Sequence, residues 1–202
     1  MGKLWLIDAG HGGITPSGNY TTAPAKMHKF PDGLIAYEGV INRKIASKLM
    51  RKLGVAGINH VQIHDDVADL SLEIRVAKAD KIFKSDKSCV FVSIHSNAGG
   101  GKGFEVFTSP GQTKSDKYAQ VFCEKYKEIL PQFPFRLDVA DGDWDKEASF
   151  YVLRKTDCPA LLVENLFFDN RTEAEYLLSD AGQENIAEVL FQAIRKCETL
   201  EV

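Results

Sequence analysis

Residues Cys89-Val90-Phe91-Val92-Ser93-Ile94-His95 form a nearly continuous apolar run that ends in a histidine. Such a run, without polar alternation, is typical of a β-strand that is covered on both faces, as in a parallel sheet. Further short β-type runs occur at residues 4–8, 60–64, 103–108 and 160–163. The sequence therefore predicts a sheet whose central strands are buried.

Helical patterns separate these runs. Residues 38–53 stop at Gly54, and their predicted buried face carries Ile41, Ile45, Leu49 and Leu53. Apolar spacing also predicts helices over residues 72–83, 114–130 and 183–197. Ser71 is the predicted N-cap of the 72–83 helix, and Thr172 with Glu175 forms a predicted capping box for a short helix. Strands alternating with helices indicate an α/β fold with a mostly parallel sheet and helices on both faces.

Composition excludes several classes of protein. The chain has 202 residues, which suits a single domain, and 25 basic against 28 acidic residues give a net charge of −3. There is no basic excess of the kind that nucleic acids or anionic lipids attract, so we expect neither partner. The four cysteines lie far apart without any CxxC pair, which predicts reduced packing residues rather than a zinc ribbon or a disulfide framework.

The first eight residues do not resemble an export signal. One lysine is followed by only four apolar residues before Asp8, whereas a signal peptide needs about 7–15. No apolar run approaches the roughly 20 residues of a membrane span. Two interpretations stay open: the protein is not exported by this route, or the chain begins after a removed signal.

Polar residues gather where three predicted strands end. The first strand leads into Gly10-His11-Gly12-Gly13, the 89–95 strand ends in His95, and the 160–163 strand leads into Glu164. Because the carboxyl ends of parallel strands meet at one sheet edge, we expect these side chains to lie close together. The 38–53 helix can add Glu38 across the Gly/Pro/Thr-rich segment 12–37.

This set of residue types fits metal-assisted chemistry. Two histidines and one glutamate form a known catalytic zinc set with a fourth position open, and a second carboxylate would then be free to act as a base. Each residue alone has a simpler interpretation: His11 as a turn residue, His95 as a hydrogen-bonded core residue, and Glu38 as an acid favoured by a helix dipole. Glu164, next to four apolar residues, must be paired, metal-facing or catalytic.

Two competing motifs fail on geometry. Gly10-x-Gly12-Gly13 lacks the GxGxxG spacing of a phosphate-binding loop, and no helix follows it. His60 and His64 have the i, i+4 spacing of a helical zinc motif, but on a strand they would lie about 13 Å apart. We therefore interpret His60, His64 and the isolated His28 as structural or surface residues.

Taken together, the motifs resemble the zinc-dependent N-acetylmuramoyl-L-alanine amidases, a family that includes bacterial cell-division amidases and many phage endolysins. The blocks follow the family order along nearly the whole chain. They are Ile7–Gly13, Glu38 with Asn42, Leu70–Arg75, Val92–Ala98 with Gly103, Phe150–Arg154, and Pro159–Glu164 with Phe167 and Asn170. Two positions depart from the family pattern: Ile14-Thr15-Pro16 replaces a frequent acidic residue, and Leu166 replaces a common glycine.

The resemblance implies a site and a reaction. His11, Glu38 and His95 match the zinc ligands, and Glu164 matches the catalytic glutamate. The implied fold is a twisted sheet of about six strands between helices. The implied reaction is hydrolysis of the amide between N-acetylmuramic acid and the L-alanine of the stem peptide. Peptidoglycan is then the substrate, the cell wall is the place of action, and no organic cofactor is needed.

Further expectations concern organisation. We expect residues 1–202 to be one catalytic domain without a separate cell-wall-binding domain, and we favour a monomer. We expect the segment 12–37 and the acidic segment 138–147 to form walls of the substrate groove, the alternative for the acidic segment being a solvated loop. That segment carries Asp138, Asp141, Asp143, Asp145 and Glu147.

Two other functions fit some of the same residues. One is a zinc exopeptidase or deacetylase that uses the same ligand set. The other is a peptidoglycan-binding module without catalysis, although such modules usually lack the glutamate or a ligand.

Overall fold

The structure, a computed structural model that describes residues 2–140 and 142–201, is organised around one central sheet. The strands found are β1 (Leu4–Ala9), β2 (Met27–Lys29), β3 (Ile35–Tyr37), β4 (His60–Gln62), β5 (Cys89–Asn97), β6 (Phe104–Thr108), β7 (Lys146–Glu147) and β8 (Ala160–Phe167). The central sheet has six strands in the order β4-β1-β5-β8-β6-β7, and β2 and β3 form a separate antiparallel pair. Only the β6–β8 pairing in the central sheet is antiparallel, so the predicted mostly parallel sheet is confirmed.

Helices cover both faces of the sheet, as predicted. They are α1 (Glu38–Val55), α2 (Leu72–Ser85), α3 (Lys114–Ile129), α4 (Tyr151–Lys155), α5 (Arg171–Leu178) and α6 (Asp180–Cys197). Helices α1, α3 and α6 pack on one face, and α2 and α4 pack on the other. The predicted stripe of α1 is fully buried: Ile41, Ile45, Leu49 and Leu53 are each at most 1% exposed.

Alternation along the strands divides the core into two layers. Trp5 and Ile7 face the α1/α3/α6 layer, whereas Leu6 faces the α2/α4 layer. Because both faces of each central strand are covered, the strands need apolar residues at successive positions. All four cysteines are buried free thiols, which confirms their interpretation as packing residues.

Several predicted boundaries are wrong. The segment 12–37, for which no strand was predicted, contains the β2–β3 hairpin. The strand predicted to end at Val163 continues to Phe167, because β6 pairs with it and sets Glu105 opposite Glu164. Elements β7 and α4 were not predicted, since two to five residues are too few to show periodicity.

The capping box predicted at Thr172 and Glu175 is also wrong. The N-cap of α5 is Asn170, whose side chain accepts the N–H of Glu173 at 3.3 Å. The Glu173 carboxylate accepts the backbone N–H groups of Phe167 and Gly103, so this helix start is tied to β8 and to the turn before β6. The cap predicted at Ser71 is confirmed.

A helix that crosses a lipid bilayer needs about 20 predominantly apolar residues. Within the described residues, no helix combines the length and the apolar character that a membrane crossing requires.

The cap assignment predicts a stability difference between two neighbouring polar residues. Asn170→Ala removes the hydrogen bond to the N–H of Glu173 and should lower the free energy of unfolding by about 1 kcal/mol. Thr172→Ala, at an exposed position two residues away, should change it by less than about 0.5 kcal/mol. Urea unfolding of both variants measures the difference, and equal losses would contradict the cap at Asn170.

Candidate metal centre and catalytic site

The predicted site residues meet at the carboxyl-terminal edge of the sheet. Parallel pairing sets Asp8 opposite Ser93, and His95 opposite Glu164. His11 follows β1 in a left-handed backbone conformation, with φ of 65°. Glu38 is the first residue of α1, and its side chain reaches the strand ends from the α1/α3/α6 layer.

The side chains of His11, Glu38 and His95 converge on one point. Oε1 of Glu38 lies 3.1 Å from Nε2 of His11 and 3.0 Å from Nδ1 of His95. One ligand atom from each residue lies within 4.8 Å of the others. Burial opposes ionisation of Glu38, but the two imidazoles outweigh it and lower the pKa of this carboxyl to about 2.

Unsatisfied polar atoms show that this cluster fits a cation. Oε2 of Glu38 is buried and has no hydrogen-bond partner among the described residues, and the buried Nε2 of His11, although 3.1 Å from Oε1 of Glu38, forms no hydrogen bond with it. A buried polar atom without a partner is costly, and two such atoms rarely lie together without a function. Two imidazole nitrogens and a carboxylate are ligands that zinc prefers. The three residues could therefore hold a divalent metal ion.

Glycine at position 10 makes room for the cluster. A Cβ at Gly10 would lie 2.1 Å from the ring of His95, far inside van der Waals contact. Any side chain here would displace the His95 imidazole from the site.

A buried ion pair fixes the backbone that carries His11. Arg75 of α2 donates to the Asp8 carboxylate and to the carbonyls of Ala9, at 2.7 Å, and His11, at 3.0 Å. Arg43 of α1 donates to the same His11 carbonyl at 2.7 Å. No role was predicted for these arginines or for Asp8 from their positions in the sequence. Asp8 at the end of an apolar run was a usable signal, because a buried carboxylate requires a partner.

Asn42 orients the carboxylate of Glu38. It lies one helical turn after Glu38 and donates to Oε1 at 3.4 Å and to the carbonyl of Gly10 at 3.3 Å. Its own side-chain oxygen accepts the hydroxyl of Ser96 at 3.1 Å. Helix α1 is thereby joined to the ends of both β1 and β5.

Glu164 has a different environment from Glu38. Its Oε2 is buried without a hydrogen-bond partner among the described residues. Burial raises the pKa of this carboxyl to about 8, and the nearby charge of Glu38 acts in the same direction, while His95 opposes them. A carboxyl with a raised pKa beside a possible metal site can exchange a proton near neutral pH.

These residues open into a cavity of about 280 Å³. Its walls include His11, His95 and Glu164, together with Lys26 from the 12–37 segment. The exposed apolar residues of the wall are Leu72, Phe150 and Tyr151, and Leu70, Val152 and Leu162 complete its apolar part. A larger groove of about 660 Å³, beside α1 and the start of α6, contains none of the predicted site residues.

The acidic segment does not form a wall of this cavity in the part of the chain that is described. Asp145 is buried and accepts the hydroxyl of Thr108, and Lys146 donates to Glu105. Asp141 lies outside the described residues. The expectation of a cavity wall therefore holds for Lys26 of the 12–37 segment but for none of the described residues of 138–147.

The remaining histidines lie outside the cluster. Nδ1 of His64 accepts the backbone N–H of Ala9 at 3.1 Å, so this residue helps to hold β1. His60 contacts the carbonyl of Ile58, and His28 packs its ring against Phe30.

The site combines two histidines and a glutamate around one point with a second glutamate beside them. Metal-dependent hydrolases use this set of residue types. The model of the family described as N-acetylmuramoyl-L-alanine amidase matches residues 6–196. The chain belongs to this family.

Individual relatives support this family assignment. The chain is 30% identical to an endolysin of Bacillus phage SPP1 over 93% of its length and 63% of the endolysin. It is 45% identical to N-acetylmuramoyl-L-alanine amidase CwlM of Bacillus licheniformis over 48% of its length and 36% of that protein. It thus spans less than two thirds of either relative. The crystal structure of an N-acetylmuramoyl-L-alanine amidase from Clostridium difficile 630 matches with a TM-score of 0.76 and 26% identity, covering 97% of this chain and 96% of the other.

The raised pKa of Glu164 predicts how stability depends on pH in the metal-free protein. Its folded-state pKa of about 8 exceeds the ordinary value of 4.5, so the folded state keeps the proton longer than the unfolded state. This group therefore lowers stability as pH rises from about 5 to 8, by at most about 1.4 kcal/mol per pH unit. Glu164→Gln should lack that loss.

The measurement is urea unfolding of metal-free wild type and Glu164→Gln at several pH values. The variant should gain stability relative to wild type as pH rises through this window. Glu175→Gln, at an exposed position, is the matched control and should follow wild type. A constant difference between wild type and Glu164→Gln would contradict the raised pKa.

Proposed function

We propose that this chain is a zinc-dependent N-acetylmuramoyl-L-alanine amidase that cleaves the amide between N-acetylmuramic acid and the L-alanine of the stem peptide. The observation that carries the proposal is the convergence of His11, Glu38 and His95 beside Glu164 in a member of this family. Peptidoglycan is the proposed substrate and the cell wall the proposed place of action, in agreement with the names of the relatives.

His11, Glu38 and His95 would hold the zinc ion. When bound at such a site, zinc lowers the pKa of water towards about 7 and polarises the scissile carbonyl. The chain contributes the geometry. Arg75 and Arg43 fix the backbone of His11, and Asn42 fixes the Glu38 carboxylate, so the three ligands are in place before the substrate binds.

Glu164 would carry the proton in this reaction. It would take a proton from the attacking water at its unpartnered carboxylate oxygen and deliver it to the nitrogen of the leaving L-alanine. A dication at the neighbouring cluster would lower the pKa of Glu164 from its metal-free value of about 8. The carboxylate would then be available as a base near neutral pH.

The two other candidate functions have less support. A zinc exopeptidase or deacetylase could use the same ligands, but the family match covers residues 6–196 and is to amidases of N-acetylmuramoyl-L-alanine. A silent binding module would not need an unpaired buried glutamate beside the cluster, and here all four positions are filled.

Metal binding is the first test of the proposal. The purified protein should bind one zinc ion per chain, and His11→Ala and His95→Ala should each lose most of it while remaining folded. Zinc content by elemental analysis and folding by circular dichroism are the measurements. His60→Ala is the matched control and should keep its zinc, because His60 contacts the carbonyl of Ile58 instead. Full zinc occupancy in both site variants would exclude the proposed ligands.

Catalysis is the second test, and Glu164→Gln separates it from metal binding. The substitution preserves the shape of the side chain but removes its ability to accept a proton. We expect zinc content near that of wild type and a rate of peptide release from purified peptidoglycan lower by about 10²–10⁴-fold. Glu175→Gln should retain activity. Loss of zinc would make Glu164 a ligand, and an undiminished rate would exclude its role as the proton carrier.

A further inference from the structure

Lys26 lies on the wall of the site cavity, in the segment that leads into strand β2. Its carbonyl accepts the backbone N–H of Glu38 at 3.0 Å and the hydroxyl of Tyr20 at 3.1 Å. These bonds hold its backbone in the left-handed region, with φ of 57°, which residues with a side chain rarely adopt. The base of the Lys26 side chain is therefore fixed relative to the candidate ligand Glu38, although the residue is exposed.

Among the described residues, the cavity wall carries two cationic side chains, Lys26 and Arg75, and that of Lys26 is accessible to a ligand. Arg75, the other one, is 2% exposed and donates to Asp8 and to the carbonyls of Ala9, His11 and Leu70. Within residues 2–140 and 142–201, the side chain of Lys26 forms no ion pair or hydrogen bond. The charge of Lys26 acts on Glu164, where it lowers the pKa, but no hydrogen bond or ion pair has to be broken for the ammonium group to pair with an anion that enters the cavity.

The exposed part of the cavity wall at α2 and α4 is apolar rather than charged. Leu72, Phe150 and Tyr151 are 48%, 40% and 37% exposed, and none of them carries a charge at neutral pH. Leu72 belongs to α2, Tyr151 belongs to α4, and Phe150 is the N-cap of α4. Lys26, in contrast, is hydrogen-bonded through its carbonyl to the start of α1, which packs on the other face of the sheet. Exposed apolar groups concentrated beside a cavity are typical of ligand contacts.

The proposed substrate has a matching asymmetry. On one side of the scissile amide is an uncharged sugar ring with apolar faces, which aromatic side chains can contact. On the other side is a stem peptide that carries carboxylates. Charge complementarity therefore directs the peptide towards Lys26 and the sugar towards Leu72, Phe150 and Tyr151.

We propose that Lys26 is a specificity-determining residue whose ammonium group pairs with a carboxylate of the stem peptide, while the sugar half of the substrate lies along Leu72, Phe150 and Tyr151. This assignment rests on the proposed amidase function. It deepens that function, because it fixes which half of the substrate lies on which side of Glu164.

The test uses two synthetic N-acetylmuramoyl peptides that differ at one group: the free carboxylate of the second peptide residue is present in one and is a primary amide in the other. Wild type should prefer the acid over the amide in kcat/KM. In Lys26→Met this preference should fall about fivefold, which is the size expected of a solvent-accessible charge pair. The change should be in KM rather than in kcat. Methionine matches the unbranched lysine side chain up to Cε but lacks the ammonium group, and it is subject to the same backbone constraint.

Three controls separate this role from a general effect of charge. Lys26→Arg should keep the preference for the acid. Lys29→Met, an exposed position in the same hairpin and outside the cavity wall, should behave as wild type. The preference of wild type should weaken as ionic strength rises, whereas Lys26→Met should show little salt dependence. Zinc content and circular dichroism should be the same in all variants.

The possible failures are distinguishable. If wild type cleaves both peptides but Lys26→Met keeps the same preference, or Lys29→Met loses it equally, the assignment of Lys26 is wrong and the amidase function stands. If zinc-loaded wild type releases no peptide from either substrate or from purified peptidoglycan, the amidase function itself is wrong, and the assignment of Lys26 falls with it.

Discussion

Arg75 and Asp8 form a buried ion pair that connects helix α2 to the end of strand β1, and the guanidinium also holds the carbonyls of Ala9 and His11. Both side chains are at most 2% exposed. Removing one partner from such a pair would leave an uncompensated charge in the core, at a cost of about 3–5 kcal/mol. The position of His11, and with it the geometry of the candidate metal centre, depends on this pair because the guanidinium that is held by Asp8 also holds the carbonyl of His11.

The two glutamates of the site lie at the same edge of the sheet but have very different pKa values. Glu38 lies between two imidazoles, which lower its pKa to about 2 and favour the ionised form that binds a cation. Glu164 lacks a hydrogen-bond partner at Oε2, and burial raises its pKa to about 8. Divergent pKa values of neighbouring carboxyl groups are a physical basis for assigning different roles to them. Here they favour Glu38 as ligand and Glu164 as base.

The cavity around this edge is built from elements of different origin. Helices α2 and α4 contribute an apolar rim, and the segment before β2 contributes Lys26. That segment is fastened to the start of α1 through the carbonyl of Lys26 and the N–H of Glu38. A single backbone hydrogen bond therefore links the candidate metal ligand to the residue that we propose contacts the substrate. Changes in the 12–37 segment could alter substrate preference without altering the ligand set.

The sequence by itself determined the fold class, the two-sided burial of the central strands and the meeting of His11, His95 and Glu164 at one edge. These follow from apolar periodicity and from the rule that parallel strands present their carboxyl ends together. Glu38 could also be placed there, as the first residue of a strongly periodic helix. Local pattern and topology carry this information, and both are written in consecutive residues.

Only the tertiary structure decided the contacts between residues that are distant in sequence. Antiparallel pairing with β6 extended β8 past Glu164. The side chain of Asn170, not that of Thr172, caps the start of α5, and the Glu173 carboxylate accepts the N–H groups of Phe167 and Gly103. The pairing of Arg75 with Asp8 likewise joins residues 67 positions apart. Such contacts depend on how elements pack against one another, and a one-dimensional pattern contains the residue types but not their distances.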